Sequence, residues 1–386
     1  MKNRIVVVNN TKKVIQPSGW AKKGLASEHI ELSALCGFGC RYCSSNNTPW
    51  MRIHSAQFLA DTVRQLGEPL TPKANPELAY VWKESIVYSL EAELYGKRQT
   101  YGAGRTLALS QSTDPLSPVV EPKVLEEVLR LLVRKTSFRV RILTKNAQIG
   151  SDYWIGVLKQ YGRRVVVSLS TGTLDAEWSS RVEIGTSTPA ARLRALRALQ
   201  DAGVPTYGML CPVFPGLVDR VEDLIDAIRP DKCEHIWAEP FNDRDNWQVV
   251  QAGYEPGTDE HAWFDRAFGL EKEPDLWSDY AATLYKKLRL RAEREGWLEK
   301  LRYMLYEANV SKGHAAKYYD LRGVMLQSID KLGRSTNPEF RALQEKAKIT
   351  AWDRIIDDDE REVDPDPVFL REPILMPCSR LQGCTI

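Results

Sequence analysis

From Arg105 to about Asn242 the chain alternates short apolar runs with amphipathic stretches. The apolar, β-branched runs at 106–110, 138–143, 165–169, 204–210 and 235–238 read as strands. Between them, 124–133, 153–161 and 221–228 carry apolar residues at helical spacing. The best-marked helix starts at Thr188, a natural N-cap, with Pro189 at its first position. Leu193, Leu196 and Leu199 line one side of it, and Gly203 closes it. Upstream, 31–35 reads as the first core strand, and a helix is expected from His54 to Leu66. About six strands alternating with helices imply an α/β fold of parallel βαβ units with right-handed crossovers. That describes either a doubly wound sheet or a partial (β/α)6 barrel of the TIM type. Both gather their functional loops at the C-terminal ends of the strands.

Outside this region the pattern weakens. Residues 1–29 form a preamble with a short strand at Ile5–Val8. Residues 67–104 have no clear period; their glycine- and tyrosine-rich end reads as a loop over the site. After residue 250 the rhythm gives way to helical spacing at Trp277, Tyr280, Ala281, Leu284 and Leu288, and again over 315–347. The expected organisation is a preamble (1–29), a barrel (30–250), a helical C-terminal extension (251–350) and an acidic, partly disordered tail (351–386).

Composition narrows the function. Hydrophobic residues make up 43% and charged residues 27% of the 386, the balance of an ordinary globular protein. No apolar stretch is long enough for a membrane helix, and the N-terminal run is too short for a signal peptide. A cytoplasmic protein that binds no membrane is expected, in keeping with cysteines that must stay reduced. A net charge of +2 exerts no general pull on polyanions, so a nucleic-acid partner would need a local basic patch. Arg41, Arg52 and the basic residues near 286–294 are candidates, although such a run is more often a solvated helix face. Trp50, Tyr101 and Trp247 have the faces to stack on a base.

The densest chemistry is in Cys36-Gly37-Phe38-Gly39-Cys40-Arg41-Tyr42-Cys43. Three thiolates in eight residues suit an iron–sulfur cluster, and three ligands for four irons would leave one iron open. A zinc knuckle completed by His54 or a distant cysteine is the alternative. The other cysteines, Cys211, Cys233, Cys378 and Cys384, lack compact ligand spacing for a second cluster. At the strand ends stand Ser112 and Asp114, Lys145, then Ser168, Ser170 and Thr171, and finally Glu239, Asn242 and Arg244.

The Cys-x3-Cys-x2-Cys spacing, with Tyr42 before the last cysteine, resembles the signature of the radical S-adenosylmethionine (SAM) superfamily. The resemblance implies that Cys36, Cys40 and Cys43 hold a [4Fe-4S] cluster whose open iron is chelated by SAM. It also implies one-electron cleavage of SAM to a 5′-deoxyadenosyl radical, fed by an external flavodoxin- or ferredoxin-type reductant. Ser112-Thr113-Asp114-Pro115, Ile142-Leu143-Thr144-Lys145, Val167-Ser168-Leu169-Ser170-Thr171, Ala191-Arg192-Leu193 and Pro212-Val213-Phe214-Pro215-Gly216 follow in order. Together they resemble the spore photoproduct lyase-like branch, often called DNA repair photolyases. By that resemblance Ser112 and Asp114 contact the methionine amino group, Lys145 its carboxylate, and Ser168 and Ser170 the ribose, with Tyr42 packed near the cluster or adenine. Two departures stand out. Gln111 occupies the place of a hydrogen-donating cysteine, and Glu183-Ile184 stands where relatives often have Glu-Pro. The expected substrate is therefore a nucleic acid under repair or modification, or alternatively a small metabolite or peptide.

Overall fold

The computed structural model describes residues 4–10, 12–21, 24–47, 49–318 and 321–347. Eight parallel strands form its main sheet: β1 (Glu28–Ile30), β2 (Thr106–Leu109), β3 (Arg139–Thr144), β4 (Val165–Ser170), β5 (Thr206–Val213), β6 (Ile236–Pro240), β7 (Leu301–Leu305) and β8 (Val324–Leu326). They lie side by side in chain order, and Gln16–Pro17 adds a ninth strand antiparallel to β1. Uninterrupted order is the mark of a barrel, because a doubly wound sheet reverses at a switch point. The partial TIM-type barrel is thus the architecture.

Strand periodicity separates the two faces. Along β4, Val165, Val167 and Leu169 pack under the outer helices, whereas Val166 turns inward with Tyr207, Met209 and Trp237. The outer layer holds α1 (Pro122–Lys135), α2 (Asp152–Lys159), α3 (Ala176–Val182), α4 (Pro189–Asp201), α5 (Val221–Ile228) and α6 (Leu276–Glu295). At the start of α4 the Thr188 hydroxyl accepts from the Ala191 amide, as its sequence predicts.

Three expectations need correction. The apolar run 31–35 is not one strand: β1 ends at Ile30, and Leu35–Cys36 joins a second sheet with Ala79–Trp82 and Ile5–Val8. Leu32 anchors the main core and Leu35 the small one, so the run bridges two layers. The unassigned region holds that strand and a helix at Ile86–Leu94. Its glycine- and tyrosine-rich end does not cover the site. Tyr101 packs edge-on against Phe138, at the N-terminal pole of β3, with ring centroids 5.1 Å apart. A Cβ on Gly102 would lie 2.4 Å from that ring.

The C-terminal extension supplies helices at Asp259–Phe268, α6 and Pro338–Ala347, and it also adds β7 and β8 to the barrel sheet. The acidic tail, with Cys378 and Cys384, lies outside the described residues, as does the Trp50 side chain. Among the described residues no helix is long and apolar enough to cross a membrane.

Candidate active site

The cysteine loop leaves the small sheet and turns through Gly37 and Gly39, at φ 70° and 79°, conformations that glycine adopts without strain. Three backbone contacts clamp it to the end of α3 and the segment that follows. The Gly185 amide donates to the Phe38 carbonyl (2.7 Å), the Arg41 amide to the Val182 carbonyl (2.9 Å), and Cys40 forms a β-bridge with Glu183. Cys36, Cys40 and Cys43 face one cavity, which they share with Tyr42, Ser112, Asp114, Lys145 and Ser170. The cysteine loop meets the ends of β2 to β6 there.

Burial pushes the Cys36 thiol up to about 12, with Cys43 adding to the effect. Burial likewise raises Cys40, against the pull of the Lys145 ammonium. Buried thiols of this kind stay protonated until a metal displaces the proton. Among the described residues no three His, Cys, Asp or Glu side chains are spaced to close on one metal ion. A zinc knuckle needs that closure; a cluster taking one thiolate per iron does not. The donor set fits a [4Fe-4S] cluster.

Glu183 is the hub of the wall. One carboxylate oxygen accepts from Tyr42 Oη and from Lys145 Nζ (2.7 Å); the other accepts from Arg192 and from Ser179 Oγ (2.9 Å). Arg192 also donates to the Ser170 carbonyl at 2.6 Å, tying the hub to the end of β4. Burial works to raise the Glu183 pKa, but Lys145 and Arg192 outweigh it and hold the carboxyl well below the usual range. Burial, reinforced by Glu183, pushes the Tyr42 phenol well up.

Asp114 is 7% exposed and its carboxylate is fully engaged. It accepts from the Leu116 amide (2.9 Å), Thr144 Oγ1 (2.7 Å) and the Lys145 amide (2.7 Å), so it braces the turn that presents Lys145. Ser112 and Thr113 are held in turn by Glu31, which accepts from the Ser112 amide and Thr113 Oγ1, both at 2.7 Å. Ser170 lines the cavity and donates to the Cys211 carbonyl at 2.8 Å.

Ser168 is the one predicted contact that does not reach the wall. It sits one pleat deeper on the same face, opposite Tyr207 and fully buried. Cys211 lines the cavity, whereas Cys233 is buried beside Gly208 near the opposite end of β5. Those two do not assemble a second cluster. Sequence reasoning missed the hub: Glu183 drew notice only as a departure and Arg192 only as part of a motif, since their ion pair forms across a turn. Glu31 gave no signal beyond an acid in an apolar run.

The sequence model of the radical SAM superfamily matches residues 30–228. An uncharacterised protein of Mycobacterium bovis is 28% identical over 191 residues, 49% of this chain and 50% of that protein. A protein of Acidianus two-tailed virus is 27% identical over 115 residues, 29% of this chain and 36% of the relative. The chain spans about half the length, or less, of these curated relatives. Among solved structures, a spore photoproduct lyase mutant superposes with a TM-score of 0.42 at 16% identity, over 66% of this chain and 67% of that one. Native anSMEcpe with bound AdoMet and a peptide gives 0.40 at 12% identity, over 70% and 61%.

Proposed function

The chain belongs to the radical SAM superfamily, and from that premise we propose that it cleaves SAM reductively to abstract a hydrogen atom from an organic substrate. The observation that carries this reading is the meeting of Cys36, Cys40 and Cys43 with Ser112, Asp114, Lys145 and Ser170 around one cavity. The superfamily's cofactors are a [4Fe-4S] cluster and SAM; when bound, they supply one-electron cleavage of the sulfonium and a 5′-deoxyadenosyl radical.

The protein's part is binding, aim and exclusion of water. The three cysteines hold iron. Lys145 offers its ammonium to the SAM carboxylate while Glu183 steadies it from behind. In this reading Asp114 acts through the Thr144–Lys145 turn, Ser112 takes the amino group, and Ser170 takes the ribose contact that the deeper Ser168 does not reach. Tyr42, fixed by Glu183 and edge-on to Phe214 at 5.2 Å, forms the wall beside the cluster.

A small metabolite or peptide is the substrate reading that the surface favours. The basic run on α6 is spent on neighbouring acids: Lys287 pairs with Asp219 (2.8 Å), Arg289 with Glu293 (2.8 Å), and Arg291 with Glu222, Asp226 and Glu295. Cations neutralised in this way release few counterions from a phosphate backbone.

The test is anaerobic reconstitution, dithionite reduction with SAM, and assay for 5′-deoxyadenosine. Product from the intact protein and none from Cys40→Ala is expected. A colourless protein holding one zinc and making no 5′-deoxyadenosine would refute the reading.

A further inference from the structure

Across the cavity from the cysteine loop, the end of β6 and the segment after it present Glu239, Asn242 and Arg244. This wall lies beyond residues 30–228, and the extension completes it from behind with Gln327, just after β8, and Tyr306, just after β7. Lys145, at the end of β3, and Glu239, on β6, are three strand spacings apart, about 14 Å along the sheet. The SAM contacts of β2–β4 and this wall therefore face different parts of one cavity.

The hydrogen bonding of the wall is one-sided. Gln327 Nε2 donates to Glu239 Oε1 at 3.2 Å, and Asn242 Nδ2 donates to the same oxygen at 3.3 Å and to the Pro240 carbonyl at 3.1 Å. These bonds fix both amides, since a flip of either would set a carbonyl oxygen against a carboxylate. The amide oxygens, Asn242 Oδ1 and Gln327 Oε1, are buried and take no hydrogen bond from the protein among the described residues. Gln327 is only 6% exposed. Buried acceptors are normally paired, so an arrangement that leaves two such oxygens beside a carboxylate calls for a donor. Arg244 stacks on Tyr306, with its guanidinium carbon 4.2 Å from the ring centroid, and puts a cation on the same wall.

We propose that this wall is the substrate subsite and that it recognises a primary ammonium group on a substrate that also carries an anion, as an amino acid or a peptide end does. An ammonium has three N–H donors and a positive charge. Asn242 and the Glu239 carboxylate line the cavity, and Gln327, bonded to that carboxylate, adds its unpartnered Oε1 behind them, three acceptor groups with one negative charge among them. Arg244 takes the anionic group. Neutral amides or hydroxyls satisfy the oxygens but forgo attraction to the carboxylate. The inference deepens the radical reading and rests on it only for the claim that the bound group is substrate.

The test uses the reconstituted full chain with SAM bound, titrated anaerobically with 6-aminohexanoate, hexanoate and hexylamine by saturation-transfer NMR. Binding of 6-aminohexanoate at least tenfold tighter than hexanoate is expected. That ratio should fall below threefold in Gln327→Met and in Asn242→Leu, while the SAM dissociation constant stays unchanged. Arg244→Gln should instead abolish the advantage over hexylamine. The subsite is overturned if 6-aminohexanoate fails to bind, if hexanoate binds equally well, or if both amide variants keep the ratio. A change in SAM affinity equal to the change in probe affinity would reassign the wall to the cosubstrate and equally overturn it. Failure of the intact protein to form 5′-deoxyadenosine would refute the radical chemistry while leaving ammonium selectivity, a binding readout, to be judged separately.

Discussion

Glu183→Gln tests whether one carboxylate organises the site. The Glu183 side chain is 1% exposed and that of Arg192 0%. Replacing the carboxylate by an amide leaves Arg192 without a counter-charge in a place water does not reach. Removing one partner of a buried pair costs about 3–5 kcal/mol. Lys145, at 14% exposure, can turn toward the cavity and adds less. Lys145→Met is the control, because it removes one charge-assisted bond, about 1.5–3 kcal/mol, and leaves Glu183 paired with Arg192. Guanidinium unfolding of the anaerobically reconstituted proteins should rank Glu183→Gln as the larger loss of stability. SAM binding should rank Lys145→Met as the larger loss of affinity. Iron per chain should fall in Glu183→Gln, whose backbone bridges Cys40, and hold in Lys145→Met. The contribution also has a pH signature. The folded-state pKa of Glu183 is depressed from 4.5, so its stabilisation is present above that value and fades as pH falls below it. A Glu183→Gln protein within 1 kcal/mol of wild type, or less perturbed than Lys145→Met, would refute the hub.

Three further outcomes follow from the same geometry. Burial pushes Glu31 from 4.5 up to about 7, outweighing the hydrogen bonds from Thr113 and Ser112, so the fold favours its neutral form. Its contribution is full below pH 4.5 and lost as pH rises through 7; relative to Glu31→Gln, the wild type should lose up to about 3 kcal/mol over that span in urea unfolding, and parallel profiles would sink the assignment. A Cβ on Gly172 would lie 1.7 Å from the Pro212 carbonyl oxygen, so Gly172→Ala should destabilise by about 1–3 kcal/mol and weaken SAM binding by displacing Ser170; an unchanged melting temperature would show that the β4 and β5 ends are less tightly joined. Cys40→Ala should retain no visible iron–sulfur absorption after reconstitution, whereas Cys233→Ala, which removes a buried thiol near the opposite end of β5, should keep the wild-type spectrum.

The legible parts of the chain are those where one local pattern decides the outcome. Residues 106–240 announce themselves because each strand is a run of buried side chains and each helix presents an apolar stripe. The strand ends follow directly from that alternation, and with them Ser112, Lys145 and Ser170. The small sheet was hidden because its strands come from three distant segments, one of them the two-residue Leu35–Cys36. β7 and β8, at five and three residues, lie in sequence dominated by helical spacing. The charges around the site were the least readable. Glu183, Arg192, Lys145 and Asp114 come from four segments, and their roles depend on which of them share a buried volume. Ser168 shows the converse limit: period two sets its face correctly, but only the packing of Tyr207 decides how deep that face is filled.

The interior below the cavity is built to close. Arg139 and Arg141 alternate with Val140 and Ile142 on β3 and point into the barrel, where a continuous apolar layer would be the simpler filling. Arg141 lies over Tyr207 and Trp237, with its guanidinium carbon 4.5 and 5.0 Å from their ring centroids, and donates to the Leu25 carbonyl at 3.0 Å. Arg139 pairs with Glu234 at 2.6 Å. Burial, together with Arg302, Arg141 and Arg139, drives His235 down to about 2, so the imidazole stays neutral. Long cationic side chains stacked on aromatic rings help fill the barrel interior, and Leu25 packs into the same inner cluster. The preamble is therefore a structural part of the barrel. At the other pole the cysteine loop, Lys145 and the Glu239 wall converge around one cavity. Under the radical reading proposed above, a bound substrate that fills this cavity would also shut out the water and oxidants that quench a carbon radical.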